Sequence, residues 1–435
     1  MITRRFAALI LGFASVSSPA LLHAQTLSAL GSDVFKTIIT AQTPAGRGVV
    51  AHTPIFLEDK TVTSVTDLID GIQRQVGSQI SLFPIGSSSG GFTYQYDATL
   101  GTFSRTTQSF GPAFAERAET IGRKKLSVGM NYLHSSYTSL DSKDLQNGDV
   151  SFILEHQQLS PPSFVSGDII QAALDMKLSS DTTVWYGNFG VTDRLDVGIS
   201  VPIVHVSMDV TYHATIRDYA THITAPTTHL FANGQKTSDF SGTGSATGVG
   251  DILLRAKYGI PTTSPVHMAA LLDVRVPSGN TDNMLGSGAT LTQFSFVTSA
   301  VGKTISPHFN IGYTVAGGSS SVTNQINYTG GFEYPASPKV TVLVDFVGRT
   351  VRDSQRLTDA TIVHPFQQSD GASTETVNLS TVRLLGGNLN TVWGTGGVKF
   401  SPWRNLLVAA SVLVALNDAG LRSRITPSVG FEWAF

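Results

Sequence analysis

The chain has 435 residues, with 29 Lys and Arg, 31 Asp and Glu, and no cysteine. That balance excludes the concentrated basic face a nucleic-acid partner needs, and the missing thiols exclude a disulfide frame or a thiolate metal site. Only 14% of residues are charged, beside 42 glycines, well under the roughly 25% charged of a soluble domain.

The first 24 residues, MITRRFAALILGFASVSSPALLHA, put Arg4 and Arg5 ahead of a short apolar run and a small residue at Ala24. This reads as a secretory signal peptide and implies the export machinery as a partner. No later apolar run reaches the about 18 residues of a transmembrane helix. Residues 25–120 form an N-terminal extension, expected either to plug a barrel or to lie in the periplasm. Within it Val65, Leu68, Ile69, Ile72 and Val76 recur at helical spacing after Ser64, which predicts a short amphipathic helix over 64–78. A Gly/Ser-rich loop, GSSSGG, follows, and then a hairpin through FTYQYDATLGTFSR.

From about residue 124 the pattern changes to strict alternation, the period of extended strands. In HVSMDVTYHATI, His205, Asp209 and His213 share one face with Ser and Thr, and Val206, Met208, Val210, Tyr212 and Ile216 the other. Between Leu195 and Val206 the apolar parity switches near Pro202, which suggests a β-bulge. GTGSATG fails the dinucleotide-binding spacing and reads as loop. Farther on, Asp251, Arg255 and Lys257 oppose Ile252, Leu254 and Tyr258; Asp273 and Arg275 oppose Leu272, Val274 and Val276; Asp345 and Arg349 oppose Val342, Val344 and Phe346; and Arg424 and Glu432 oppose Ile425, Val429 and Phe431.

Connections alternate as well. SPPS, TDR, PTTSP, SPH, PASP and SPWR are short turns; the others are longer, with long loops expected over 218–247 and 351–387. Short turns at one end and longer loops at the other predict an all-β, antiparallel up-and-down transmembrane barrel over residues 121–435, in the bacterial outer membrane. Its count is roughly 14 strands, or 12 if the pair 124–137 and 148–158 lies outside, both even numbers as such barrels require. Charges are costly toward lipid, so the polar set His205, Asp209, His213, Asp251, Arg255, Lys257, Asp273, Arg275, Asp345, Arg349, Arg424 and Glu432 is expected to line the lumen.

Two sites of chemistry fail on geometry. His205 and His213 lie about 26 Å apart along a strand at roughly 3.3 Å per residue, too far for one metal. GSSSG matches G-x-S-x-G but lacks the strand and helix of a nucleophile elbow. No catalytic residue, cofactor or metal is expected.

The stretches FPIGSSSGGFTYQYDATLGTFSR, SFGPAFAERAETIGRKKLSVGMNY, YGNFGVTDRLDVGISVPIVHV, GVGDILLRAKY and GVKFSPWRNLLVAASVLVALNDAGLRSRITPSVGFEWAF together resemble the outer-membrane transporter family labelled "putative MetA-pathway of phenol degradation". The resemblance implies passage of small hydrophobic or aromatic solutes. The ending, with Ser428, Gly430, Trp433 and Phe435, also resembles the C-terminal signal read by the barrel-assembly machinery. Alternatives are a structural or surface-interaction barrel with a filled lumen and a barrel lipase.

Overall fold

The computed structural model describes residues 26–40, 42–45, 60–87, 91–97, 102–105, 107–155, 168–219, 228–302, 304–318, 322–367, 374–403 and 405–435. Twelve antiparallel strands close into a barrel: β1 Leu126–Leu140, β2 Asp168–Gly190, β3 Leu195–Asp218, β4 Ile252–Ile260, β5 Val266–Val276, β6 Thr290–Ala300, β7 Ser306–Gly317, β8 Gln325–Ser337, β9 Val340–Gln367, β10 Thr374–Trp403, β11 Leu406–Ala415 and β12 Ile425–Ala434. Each pairs with its chain neighbours, and β12 pairs back to β1 through Phe431↔Met130 and Val429↔Tyr132. The count is therefore the lower of the two expected, but for a different reason. Of that pair, residues 126–140 belong to the wall and close it, and Val150–Glu155 stands off the ring, paired with the far end of β2.

The wall is uneven in height. β2 and β3 run 23 and 24 residues, and β9 and β10 run 28 and 30. Beyond the reach of β4, the strand Thr237–Val249 takes over its pairing with β3, Thr237↔Thr215 through Val249↔Ile203. The expected loops at 218–247 and 351–387 are thus largely strand. In the second, β9 and β10 stay paired from Gln355↔Gly386 to Gln367↔Thr374 after a register shift between Val351 and Ser354.

No bulge occurs near Pro202: β3 stays in unbroken register with β2 along its whole length. What changes there is the chemistry of the two faces. Val197, Ile199 and Ile203 are exposed on the outside, and beyond them Asp209 and His213 take the same outward positions; Asp196 and Ser200 are buried inside, followed by Val204, Val206, Met208, Val210 and Tyr212.

Two helices explain the switch. α1 Leu27–Thr40 sets Leu27, Leu30, Val34, Phe35, Ile38 and Ile39 on one buried face, and α2 Lys60–Ser81 does the same with Val65, Ile69, Ile72, Val76 and Ile80. Both faces join one cluster with Val206 through Ile216 of β3. Phe35 lies edge-on to Tyr212 at 5.4 Å and to Phe152 at 5.8 Å. The GTGSATG stretch is a strand, not a loop, and its glycines have a packing reason. A Cβ on Gly242 would stand 2.5 Å from Val34 Cγ2, and one on Gly244 2.8 Å from Leu27 Cδ2, so the alternate glycines let α1 lie against the wall.

Around the lower wall the outward side chains are apolar and exposed, among them Leu254, Phe296, Ile311, Val342, Val412 and Val429. Near the short turns they are aromatic: Phe189, Tyr258, Phe309, Tyr334, Phe400, Trp403 and Trp433. An even-stranded closed antiparallel barrel with an apolar outer band and an aromatic girdle is a transmembrane barrel of the bacterial outer membrane. Among the described residues no helix is long and apolar enough to cross a membrane.

Candidate functional site: a polar lumen around an internal segment

Among the described residues between Leu82 and Ile121 there is little regular structure, apart from the hairpin Tyr94–Asp97 with Thr102–Arg105. A segment without a ladder must satisfy its backbone groups elsewhere, and here the inward side chains of the barrel do so. Glu432 accepts the Gly91 N–H with both oxygens, at 2.9 and 2.8 Å. Asp345 accepts from the N–H groups of Ala113 and Phe114, both at 2.9 Å. Glu333 accepts from Gly111 at 3.1 Å, and Asp196 from Ile121 at 2.9 Å. The cations serve the carbonyls: Lys257 donates to Glu119 at 2.8 Å and Arg117 at 3.3 Å, and Lys399 to Pro112 at 2.7 Å and Phe110 at 3.2 Å. Strands β3, β4, β8, β9, β10 and β12 thus hold one strip of irregular chain between them.

The segment returns charge to the wall. Arg117 pairs with Glu333 at 3.2 Å, both side chains 3% exposed, and His308 bridges onward from Glu333 at 3.5 Å to Asp345 at 3.0 Å. Arg255 grips Asp273 with two bonds of 2.7 and 2.6 Å and also pairs with Glu116. Gly111, at φ +83°, makes the turn that lets this happen; a Cβ there would meet the Arg117 guanidinium at 2.7 Å.

Higher up, α2 ends against two arginines. Arg275 donates to the Ser81 carbonyl at 2.6 Å and Arg349 to that of Leu82 at 2.5 Å, cations at the negative end of a helix. Beside this junction lies a cavity of about 200 Å³ whose apolar lining includes Phe83, Phe114, Leu291, Val347 and Trp393. Phe83 meets Trp393 edge-on at 5.9 Å.

The structure divides the residues expected in the lumen. Arg255, Lys257, Asp273, Arg275, Asp345, Arg349 and Glu432 sit inside, bonded as above to each other or to residues 81–119. Asp251 is buried too, but it binds the loop after β5, accepting from Gly279 and Ser287. His205, Asp209 and His213 do not line the lumen: they face outward, bonded to Thr247, Thr243 and Asp239 of the flanking strand. In this upper wall the inside is a packed apolar cluster and the outside is water, the reverse of a lipid-facing strand. Arg424 is exposed at the break before β12, while its neighbour Arg422 is buried. Of the C-terminal set, Trp433 and Phe435 face outward and Ser428 and Gly430 inward.

Sequence reasoning missed Glu333, Lys399 and His308, although each sits on the inward parity of its strand. It missed Glu116 and Arg117 because nothing local marks an irregular segment as a partner. Among the described residues no group of three His, Cys, Asp or Glu is placed to hold a metal.

Residues 164–364 match the family model described as "Putative MetA-pathway of phenol degradation", which bears out the resemblance. No curated protein matches the chain by sequence. Solved structures similar to it include an outer membrane channel from Pseudomonas putida F1, at 11% identity and TM-score 0.44 over 73% of this chain and 98% of that one. A Pseudomonas aeruginosa FadL homologue aligns at 9% identity and TM-score 0.31, over 73% of this chain and 90% of that one. The Ralstonia pickettii toluene transporter TbuX aligns at 13% and 0.28, over 72% and 90%. At such identities and scores the likeness transfers no function.

Proposed function

We propose that this barrel passes small, mostly apolar or aromatic molecules across the outer membrane by diffusion, with residues 82–121 as its gate. The observation that carries the reading is the internal segment itself. It occupies the lumen through side-chain hydrogen bonds to irregular backbone, while a cavity lined by Phe83, Phe114 and Trp393 stays open beside it. A segment held this way can shift without unfolding the wall, whose strands keep their own ladders. Twelve strands enclose more than the eight whose interior side chains fill, and less than the 16–18 of open porins, so a narrow route fits.

The test is entry into reconstituted vesicles. Phenol should enter faster than a sugar of similar size, and deleting residues 82–121 should raise single-channel conductance and admit the sugar. Equal entry of both solutes through the intact protein would make it a general porin. A second reading, a structural barrel with a permanently filled lumen, is favoured by the buried Arg117–Glu333 pair; the absence of any solute entry would select it. We also infer that outward Trp433 and Phe435 form the aromatic end read by the assembly machinery.

A further inference from the structure

Three buried donors carry no hydrogen-bond partner among the described residues and sit around one cavity: Arg349 Nε, Gln325 Nε2 and Trp393 Nε1. The residues are 7, 3 and 3% exposed. A buried donor left unmade is destabilising, and three around one space are out of character for a filler between a segment and a wall. All three are donors, so the complement is an acceptor.

Charge points the same way. Arg275 and Arg349 both line this cavity, and each gives one bond to a carbonyl at the end of α2. Neither lies within ion-pair distance of a carboxylate among the described residues; Asp251 and Asp273 act on Arg275 only from farther off, and Asp273, the acid in the lining, is taken on both oxygens by Arg255. The aromatic side is adjacent: the Arg349 guanidinium carbon is 5.7 Å from the Trp393 ring centroid, and Phe83 packs on that indole. An engineered apolar cavity of roughly 150 Å³ takes up benzene; about 200 Å³ leaves room for a ring bearing one small charged group.

We propose that the cavity is a binding site for a small aromatic monocarboxylate. Its carboxylate is received by Arg349 and Gln325 beside the charge of Arg275, and its ring lies against Phe83, Phe114 and Trp393. A guanidinium fork matches a carboxylate in geometry as well as in charge. The three unpartnered nitrogens are covered in the empty state, so occupancy turns the ends of these side chains toward the ligand. This assignment rests on the transport reading and gives it a substrate class.

Calorimetric titration of the detergent-solubilised full chain with benzoate, and with benzyl alcohol as the neutral analogue, tests it. Saturable one-site binding of benzoate is expected, with benzyl alcohol weaker by at least about tenfold and raised salt weakening only the anion. Arg349→Met should lose at least about tenfold in benzoate affinity with little change for benzyl alcohol. Trp393→Phe, which keeps one ring and removes the indole N–H together with part of the apolar contact, should lose several-fold and guards against a folding failure in the arginine variant. Benzoate that fails to bind, that binds no better than benzyl alcohol, or that binds both variants like the parent overturns the site. Phenol entry into vesicles, measured on the same preparations, separates the two claims. Entry without benzoate binding removes the anion site and leaves transport standing, whereas benzoate binding without entry keeps the site and removes transport.

Discussion

The two halves of strand β3 share a backbone register and differ in everything else. From Leu195 to Ile203 the outside is apolar and the inside holds Asp196 and Ser200; from His205 to Arg217 the outside is polar and the inside is Val206, Met208, Val210, Tyr212 and Ile216. In the lower half the outer solvent is hydrocarbon, which rejects charge, and the inner neighbour is irregular backbone, which needs donors and acceptors. In the upper half the outer solvent is water, and the inner neighbour is the apolar face of α1. Inward and outward are therefore not chemical categories in this barrel. Each face takes its chemistry from what it touches at that height.

The sharpest way to break this comparison is to charge the inner face of the upper half. Val210→Arg places an unpaired cation against α1. It should cost several kcal/mol for the charge, besides roughly 1–3 kcal/mol for overpacking, and abolish folded, heat-modifiable protein. Wild-type folding of this variant would mean that α1 does not pack there. Phe35→Ala removes the ring between Tyr212 and Phe152 and should cost roughly 3–5 kcal/mol. The loss should fall on the helices alone, so limited proteolysis should cut residues 26–81 faster while the barrel keeps its heat-modifiable mobility; simultaneous collapse of both would show that cap and barrel are one cooperative unit.

In the lower half the sensitive face is the outer one. Ile199→Arg should cost roughly 2–4 kcal/mol, the figure for arginine near the bilayer midplane, read as a lower urea midpoint in lipid vesicles. An unchanged midpoint would put residue 199 outside the membrane. The smallest effect is expected from His213→Arg, on the polar outer face of the upper half, where the side chain is 51% exposed and pairs with exposed Asp239. The expected change is within about 0.5 kcal/mol. A large loss there would return His213 to the interior and undo the comparison at its root.

Much of this molecule was legible from periodicity. Strands β4, β5 and β12 and the first part of β9 follow the alternation, and Lys257, Asp273 and Glu432 fall on the face opposite their apolar neighbours, as the structure has them. The helix expected over 64–78 is real and longer, Lys60–Ser81. α1 was missed, although Leu27, Leu30, Val34 and Ile38 carry the three-and-four spacing, because fourteen residues after a signal-like stretch invite no reading of their own. The parity change at Pro202 was visible and misread, because a bulge and an exchange of environments leave the same trace in sequence: both move apolar residues from odd to even positions. Only the partner strands distinguish them, and β2 shows no slip.

The sequence by itself determined that residues beyond about 124 form extended strands with two chemically distinct faces, that short turns join them at one end, and that the strand number is even. These follow from a period of two and from local turn chemistry, properties carried by neighbouring residues alone. The tertiary structure decided which face is inside at each height, how the irregular segment from 82 to 121 finds its hydrogen bonds, and which buried donors are left without a partner beside one cavity. Alternation is symmetric under exchange of the two faces. Only the element that packs against each face, α1 above and the internal segment below, removes that symmetry, and both elements lie more than a hundred residues away in sequence from most of the side chains they meet.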